Sequence, residues 1–286
     1  MNSPAAPRAQ RTRLGRELRR ARMLAGMSGR EVASHIGIGQ ASVSRIENAQ
    51  AVPSLPEVKA WAEAVGAPED VRASLAVLAE AALNEVETWR TRQGAGLAAM
   101  QDDVRALADT ARTLRNFQPT IVPGLLQTAE YARRVFSLVD MLGKDDYAAA
   151  VAARIERQQA LYDETRTFEF IITEAALRWR PGPPAVLLAQ LDRLRSIATL
   201  DNVSIGVLPV NTDVSAIAWC GFSIYEDRDE DHEPFVMIET PHAGMTISDP
   251  ADVSTYRELL SVIRQAAIFG GEANALMAQI ADDVQK

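Results

Sequence analysis

A short stretch near the beginning of the chain, residues 28–48, constrains the fold more than any other part of the sequence. Ser28 precedes an apolar run, and Glu31 lies three positions after Ser28. This is the spacing of a capping box at a helix start. Gly37 stands where this helix must end, because glycine tolerates the positive φ that closes a helix. The residues between these signals that share one helical face are Val32, Ala33 and Ile36. The pattern predicts a short helix followed by a tight turn.

A second helix is predicted to start near Gln40 and to carry a small, polar or basic outer face. Val43 and Ile46 are three positions apart and point towards the core. A short helix of this kind fits the major groove of DNA, which admits one helix and offers hydrogen-bonding base edges. The predicted DNA-facing residues are Gln40, Ala41, Ser42, Ser44, Arg45 and Asn48, with Ser28 near a phosphate at the start of the first helix.

The segment QASVSRIENAQAVPS resembles the second-helix region of the phage-repressor-like helix-turn-helix family, also called Cro/C1 or xenobiotic-response-element regulators. The residues that carry the resemblance are Gln40, Val43, Ser44, Arg45, Ile46, Glu47, Pro53 and Ser54. Ala49 stands where the family usually has glycine. The resemblance implies that Arg22 of the preceding helix pairs with Glu47, a structural contact that holds the two helices in register.

Charge is distributed unevenly along the chain. Residues 1–66 hold ten Lys and Arg against five Asp and Glu, whereas the remainder holds 20 against 33. A basic end on an acidic body is typical of a nucleic-acid-binding head. The single cysteine, Cys220, cannot form an intrachain disulfide, and no apolar run approaches the roughly 20 residues that span a bilayer. We therefore expect a cytoplasmic protein.

The length of 286 residues exceeds one typical domain and predicts two. We expect a disordered arm over 1–12, an all-α head with an extra helix over 13–92, a linker and connecting helix over 93–116, and an α+β domain over 117–286. The extra helix is predicted to run from Pro68 towards Arg90. Its apolar stripe is interpreted either as domain core or as a dimer face, and we favour a dimer face for its distal half.

The second domain contains another family pattern. The segment VPGLLQTAEYA, residues 122–132, resembles the signature of a domain of unknown function that is attached to helix-turn-helix heads in actinobacterial regulators. Further agreements are residues 154–158, which read RIERQ, and residues 172–177, which read ITEAAL. The resemblance implies a regulator that often sits beside a small partner protein, also of unknown function.

Periodicity in the second domain predicts helices and strands in succession. Strand-like runs are residues 168–173, 203–210, 218–226, 235–239 and 244–247, and a last helix is expected from Pro250 to about Phe269. We therefore expect one mainly antiparallel sheet covered by helices, which makes the whole chain α+β.

Catalytic and metal-binding patterns are not found in the sequence. There is no HExxH, CxxC, GxSxG or phosphate-binding loop. The acidic run over 226–233 favours a solvated turn over a cation site, and Cys220 is interpreted as a small buried hydrophobe. We expect no enzyme activity, no metal and no cofactor.

Two sets of residues in the second domain are candidates for binding. Arg154, Arg157, Glu174 and Glu239 form a polar set, interpreted either as a structural ion-pair network or as the polar groups of a small-molecule site. Trp179, Pro181, Trp219 and Phe222 form an apolar set that suits a protein partner. We favour the protein partner.

The sequence thus predicts a transcriptional regulator that binds a double-stranded DNA operator, acts as a homodimer and responds to a partner protein or small effector through its second domain. The alternative is an antitoxin-like protein that neutralises a small cognate partner encoded nearby and uses DNA binding only to regulate its own operon.

Overall fold

The computed structural model describes residues 9–88, 111–139, 147–216, 218–226, 234–240 and 243–286. The head consists of five helices: α1 (Ala9–Leu24), α2 (Gly29–Ile36), α3 (Gln40–Glu47), α4 (Leu55–Ala64) and α5 (Glu69–Leu83). The predicted disordered arm over 1–12 is wrong at its end, because α1 already begins at Ala9. Residues 9–12 contain no helix breaker, and alanine, glutamine and arginine favour helix. Residues 1–8 lie outside the described residues.

The core of the head is built from apolar residues of all five helices. Leu18 of α1 and Trp61 of α4 are fully buried, and Val32 of α2 packs in the same cluster. A Cβ on Gly15 would lie 2.5 Å from the carbonyl oxygen of Ile46. Helix α1 therefore crosses the end of α3 at a distance that only glycine permits, and this contact fixes the position of α3.

The distal half of α5 belongs to the core of its own head. Leu75, Leu78, Ala79 and Ala82 are buried there against α1 and α4. The predicted dimer face on this helix is therefore wrong, because its apolar stripe is already covered within the chain. The helix also ends at Leu83 rather than near Arg90.

A strand follows α5 without a gap and joins the head to the sheet of the second domain, the body. Strand β1 (Asn84–Thr88) pairs antiparallel with residues 243–247, which form the last strand along the chain. The Ser248 N–H donates to the carbonyl of Leu83 at 2.9 Å, and Arg11 Nη2 reaches Ser248 Oγ at 3.4 Å. Pairing with a distant strand therefore overrides the helical continuation that the local sequence suggested.

The body is organised around a seven-stranded sheet whose order is β1-β7-β6-β5-β2-β3-β4. Its other strands are β2 (Thr113–Gln118), β3 (Thr167–Thr173), β4 (Val203–Leu208), β5 (Phe222–Glu226), β6 (Phe235–Glu239) and β7 (Ala243–Ile247). Four neighbouring pairs are antiparallel and two, β2 with β3 and β3 with β4, are parallel. The predicted α+β class with a mainly antiparallel sheet is confirmed, and the parallel part fits the long helical connections between those strands.

Helices cover both faces of this sheet. They are α6 (Ala129–Val139), α7 (Tyr147–Arg157), α8 (Glu174–Arg178), α9 (Pro184–Ile197), α10 (Pro250–Ala266) and α11 (Gly270–Gln285), with short 3-10 turns over Gly124–Leu126 and Gln158–Tyr162. One face packs Phe168, Phe170 and Val207 beneath α9 and α11. The opposite face packs Phe117 and Ile224 against α10.

The body differs from the sequence prediction at two places. The connecting helix expected up to Asn116 is replaced by strand β2 from Thr113, and residues 93–110 of that prediction lie outside the described residues. The spacing of Ala111 and Leu114 fits a helix. Between β3 and β5, however, the segment pairs as a strand, and its side chains alternate between the two faces of the sheet. Helix α11 was not predicted, and it begins at Gly270 after a bridge between Val207 and Ile268.

Candidate nucleic-acid interface

The first helix of the helix-turn-helix is capped as its sequence predicts. The Ser28 N–H donates to Glu31 Oε2 at 2.7 Å, and the Glu31 N–H donates to Ser28 Oγ at 3.2 Å. The first of these bonds is the main cause of a lowered pKa for the Glu31 carboxyl. Gly37 ends α2 with φ of +75°, so the chain turns sharply into α3.

Helix α3 buries the predicted inner residues and exposes the predicted outer ones. Val43 and Ile46 lie in the core of the head. Among the predicted DNA-facing residues, Ser28, Gln40, Ala41, Ser44 and Asn48 are exposed, and Ser42 and Arg45 are half-buried. Six of them lie on α3 or at its C-cap, and Ser28 caps α2. Their contact with DNA stays a prediction.

The polar side chains on this outer side are ordered by bonds along α3 itself. Arg45 Nη2 donates to Ser42 Oγ at 3.0 Å. Asn48 Nδ2 donates to the carbonyl of Ser44 at 2.8 Å. These bonds hold the donors close to the helix surface, so reading a base edge requires the side chains to exchange a local partner for the base.

An ion pair between α1 and α3 holds the reading helix in place. Arg22 Nε and Nη2 donate to the two carboxylate oxygens of Glu47 at 2.6 and 2.9 Å, and Arg22 Nη1 donates to the carbonyl of Met27 at 2.8 Å. The Glu47 side chain is almost completely buried. Its bond raises the pKa of the Arg22 guanidinium. The predicted pairing is confirmed, and its fork geometry makes it a positioning contact.

Ala49 keeps the backbone geometry that glycine usually supplies after this helix. Its φ is +58°, which lies in the left-handed region. The Gln50 N–H donates to the carbonyl of Arg45 at 2.8 Å, and the Ala49 N–H to that of Ile46 at 3.1 Å. The turn thus closes α3 in the usual way, at a backbone cost of about 1–2 kcal/mol for a residue with a Cβ.

The surface of the head also carries arginines outside α3. Those whose side chains are exposed are Arg13, Arg16, Arg19, Arg20 and Arg30. Together they give the head a basic surface that suits the phosphate backbone of a nucleic acid.

In the body, three buried glutamine side chains bond the backbone of the segment VPGLLQT. Gln127 Nε2 donates to the carbonyl of Val122 at 2.8 Å, and Gln158 Nε2 donates to that of Gln127 at 2.7 Å. Gln190 donates to the carbonyl of Leu126 at 2.8 Å and accepts from the Thr128 N–H at 2.7 Å. The RIERQ segment and this turn therefore form one structural unit.

Two arginines of α7 lie against the same turn. A Cβ on Gly124 would lie 3.2 Å from Arg157 Nη2 and 3.5 Å from Arg154 Nε, so glycine keeps this place clear. Arg154 Nη1 donates to Gln127 Oε1 at 2.7 Å, and its guanidinium lies 4.1 Å from the centre of the Phe136 ring. Burial, together with the charge of Arg157, lowers the pKa of Arg154 to about 9, and Glu239 acts against this lowering.

Comparison with known families agrees with this two-part organisation. The profile of a helix-turn-helix domain matches residues 13–75, and that of a domain of unknown function, DUF5753, matches residues 101–279, more than half of the chain. The chain belongs to the DUF5753 family. No curated protein matches it. The match of the head establishes a helix-turn-helix domain, and the phage-repressor-like subtype stays a prediction.

The polar candidates of the DUF5753 domain do not form one group. Glu174 accepts from Arg178 Nε at 2.7 Å and from the Val210 N–H at 3.0 Å, and Arg178 also reaches Asp283 at 3.1 Å. The expected convergence of Glu174 with Arg154 and Arg157 is therefore wrong, because a nearer arginine lies one helical turn away. Glu239, in contrast, acts electrostatically on Arg154.

The apolar candidates also divide into two groups. Trp219 is 89% exposed and Trp179 is 38% exposed, with its ring edge against Tyr131 at 6.5 Å. Phe222 is only 2% exposed and packs against Phe117 and Tyr256, so its prediction as surface is wrong. Strand β5 begins at Phe222 and directs this ring into the sheet face under α10. Pro181 is half-buried.

Sequence reasoning missed several residues around these candidates. Val210 and Val214 are exposed in the connection between β4 and β5, which also holds Trp219, whereas Val210 was predicted as the end of a strand. Glu226, predicted as part of an acidic turn, is buried and pairs with Arg115 and Arg257. Residues 227–233 of that turn lie outside the described residues. These roles follow from tertiary contacts, so the sequence alone does not reveal them.

Two features are absent from the part of the chain that the structure describes. No helix there is long and apolar enough to cross a membrane. No group of three or more His, Cys, Asp or Glu residues there could hold a metal ion.

Proposed function

We propose that this protein is a sequence-specific DNA-binding transcriptional regulator that reads its operator with the outer side of α3. The observation that carries the proposal is the difference between the inner and outer sides of this helix. Val43 and Ile46 are buried and Glu47 is fixed by Arg22, while the polar outer side stays accessible. A rigidly held helix with a polar, partly basic outer side has the properties that readout in the major groove requires.

The charge distribution supports the same proposal. The excess of five basic residues in the first 66 attracts phosphate, whereas the acidic body repels it, so the head is oriented towards DNA. Arginines on α1 add contacts that position the head without reading sequence.

We further propose that the regulator acts as a homodimer. A single eight-residue reading helix makes few base contacts, and paired heads on half-sites one helical turn apart multiply them. Because the stripe of α5 is covered inside the head, the contact between the two copies belongs to the body. Sedimentation at micromolar concentration tests this assembly, and a monomer that binds a single half-site tightly would contradict it.

A second candidate function is supported by the exposed apolar residues of the body. Trp219, Val210 and Val214 are exposed close together in sequence, and Trp179 is partly exposed. Tryptophan is enriched among residues that dominate binding between proteins. This observation favours an antitoxin-like protein whose body binds a small cognate partner while the head regulates the shared operon.

One experiment addresses both proposals. Footprinting of the full chain on its own promoter should protect two half-sites about 34–36 Å apart, the distance of one helical turn. The footprint is then repeated with the protein encoded next to it. Trp219→Ala should weaken the effect of that partner, while Tyr162→Ala, which removes another exposed aromatic ring, should not. A footprint without protected half-sites contradicts the regulator, and equal effects of both variants contradict the partner surface.

A further inference from the structure

The two ends of the sheet differ in their distance from the head. The head joins the sheet at Asn84, the first residue of β1. Across the sheet from Asn84, the residues paired in register are Ile247, Val236, Ile224, Arg115, Glu169 and Ser204. We call the end of the sheet marked by this row the head end. Strand β4 runs away from it to Leu208, and β5 starts at Phe222, so both residues lie at the opposite, far end.

The connection between β4 and β5, residues 209–221, therefore leaves and re-enters the sheet at the far end. It contains the exposed apolar residues Val210, Val214 and Trp219. The head bonds the body at the other end, where the carbonyl of Leu83 accepts from the Ser248 N–H. A seven-residue strand such as β3 separates the two ends by about 20 Å. The connection thus lies one strand length from the attachment of the head.

The backbone of this connection is anchored on both sides. At its start, the Val210 N–H donates to the buried carboxylate of Glu174 at 3.0 Å. At its end, the Gln118 amide lies against Gly221, where a Cβ would come within 2.5 Å of Gln118 Oε1. The connection is therefore held in place at both of its junctions with the sheet.

Trp219 is exposed although its neighbours in the chain are not. Ala218 and Cys220 pack against the apolar cluster under α10, whereas Trp219 between them is 89% exposed. An exposed indole ring leaves a large apolar area in water, and covering that area is favourable. Tryptophan is also enriched among the residues that dominate the affinity of protein interfaces. The position of Trp219 therefore indicates a binding surface rather than a loose end of the core.

The charge of this surface selects the kind of partner. The connection contains no lysine or arginine, and its one charged residue is Asp213, which is exposed. It belongs to a body in which 33 acidic residues face 20 basic ones. The phosphates of a nucleic acid meet no cation on this connection, whereas a basic protein surface is complementary to it in charge.

A second copy of the chain does not fit this surface in the proposed regulator. Two heads on neighbouring half-sites are about 34–36 Å apart. If two copies met at their far ends, two strand lengths of about 20 Å each would separate the attachment points of their heads. The two heads would then extend away from each other. The occupant that agrees with paired heads is therefore a different protein.

We propose that the connection between β4 and β5 binds a basic protein with an apolar face, anchored by Trp219, and that this protein and the operator are bound at the same time. This surface rests on the proposed function, since it assigns the docking site and the form of regulation to the partner-binding body. A partner at the far end leaves the outer side of α3 accessible. It therefore acts on the regulator while the regulator is bound to DNA.

Acrylamide quenching of tryptophan fluorescence in the full chain tests the surface. The contribution of Trp219 is the difference between the wild type and Trp219→Phe. The probe is the protein encoded next to this chain. It should shield Trp219 from acrylamide, and operator DNA alone should leave the quenching of Trp219 unchanged. Binding of the probe should weaken as salt is raised, because the two surfaces attract each other by charge.

A matched pair of variants separates the far end from the head end. Trp219→Ala should weaken binding of the neighbouring protein about thirtyfold or more. Tyr162→Ala is the control, because Tyr162 is an exposed aromatic residue at the head end. The carbonyls of Leu161 and Asp163 beside it accept from Asn202, which precedes β4. This control should bind the neighbouring protein as the wild type does.

Electrophoresis of a promoter fragment tests simultaneous binding. The chain and the neighbouring protein together should give a slower band than the chain alone, and Trp219→Ala should lose only this slower band. Release of the DNA on addition of the neighbouring protein would overturn the proposal. Trp219 quenching that this protein does not change would also overturn it, as would shielding that appears when the chain alone is concentrated. A wild-type chain that binds no promoter DNA contradicts the proposed regulator, whereas the quenching of Trp219 tests the surface alone.

Discussion

The head and the body place their polar groups differently. In the head, the ion pair of Arg22 and Glu47 fixes α3, and the polar residues of that helix remain on the surface. In the body, Gln127, Gln158 and Gln190 bond backbone groups in the interior. The head thus uses an internal contact to position an external surface, whereas the body uses internal contacts to shape a turn. The two regions should respond differently to substitution.

The largest effect is expected for Glu47→Ala. The substitution leaves the Arg22 guanidinium without its carboxylate in a largely buried place, which should lower the stability of the head by about 3 kcal/mol. Hydrogen exchange of the α3 amides measures this loss locally. Glu63→Ala removes an exposed carboxylate from α4 and should change the same exchange by no more than about 0.5 kcal/mol. Equal effects of both substitutions would show that the pair does not hold α3.

A smaller effect, confined to the body, is expected for Gln190→Ala. The Thr128 N–H and the Leu126 carbonyl lose their partners, and we expect a loss of about 2 kcal/mol in urea unfolding. Asp192→Ala, on an exposed position of the same helix, is the control. Exchange of the α3 amides should remain as in the wild type. Faster exchange there would mean that the two regions are not separate in stability.

The smallest effect is expected at Ala49. Ala49→Gly relieves the left-handed backbone but also removes a buried methyl group, so the head should gain at most about 1 kcal/mol. Ala73→Gly, at an exposed position inside α5, should instead lose about 0.5–1 kcal/mol. Opposite signs for the two substitutions would confirm that the turn after α3 needs the geometry of glycine. A loss at both positions would contradict it.

The sequence predicted the head better than the body because its signals are local. Ser28 and Glu31 are three positions apart, and Gly37 ends the same helix, so each feature depends on neighbours in the chain. The pairing of Arg22 with Glu47 joins residues of two helices, and it was predicted from a family resemblance rather than from spacing.

The fold of the body depends on contacts between segments that are distant in the chain. Such contacts cannot be predicted from local patterns in one sequence. Residues 84–88 follow a helix and become a strand only because β7 is available for pairing. The first part of β2, residues 113–116, reads as helical until its place between two strands is known. Glu174 and Phe222 were assigned to a site and a surface, yet Arg178 and the face under α10 cover them. The pairing of strands and the packing of helices on them, rather than composition, determine where these side chains lie.

The central claim is that the outer side of α3 reads DNA, and the affinity of Arg45→Ala for the operator tests it most directly. Measured at fixed salt, this affinity should fall by about 1–3 kcal/mol and lose specificity at one or two base pairs. Arg195→Ala, which removes an exposed arginine of the body, should bind as the wild type does. Unchanged affinity and specificity in Arg45→Ala would contradict the account.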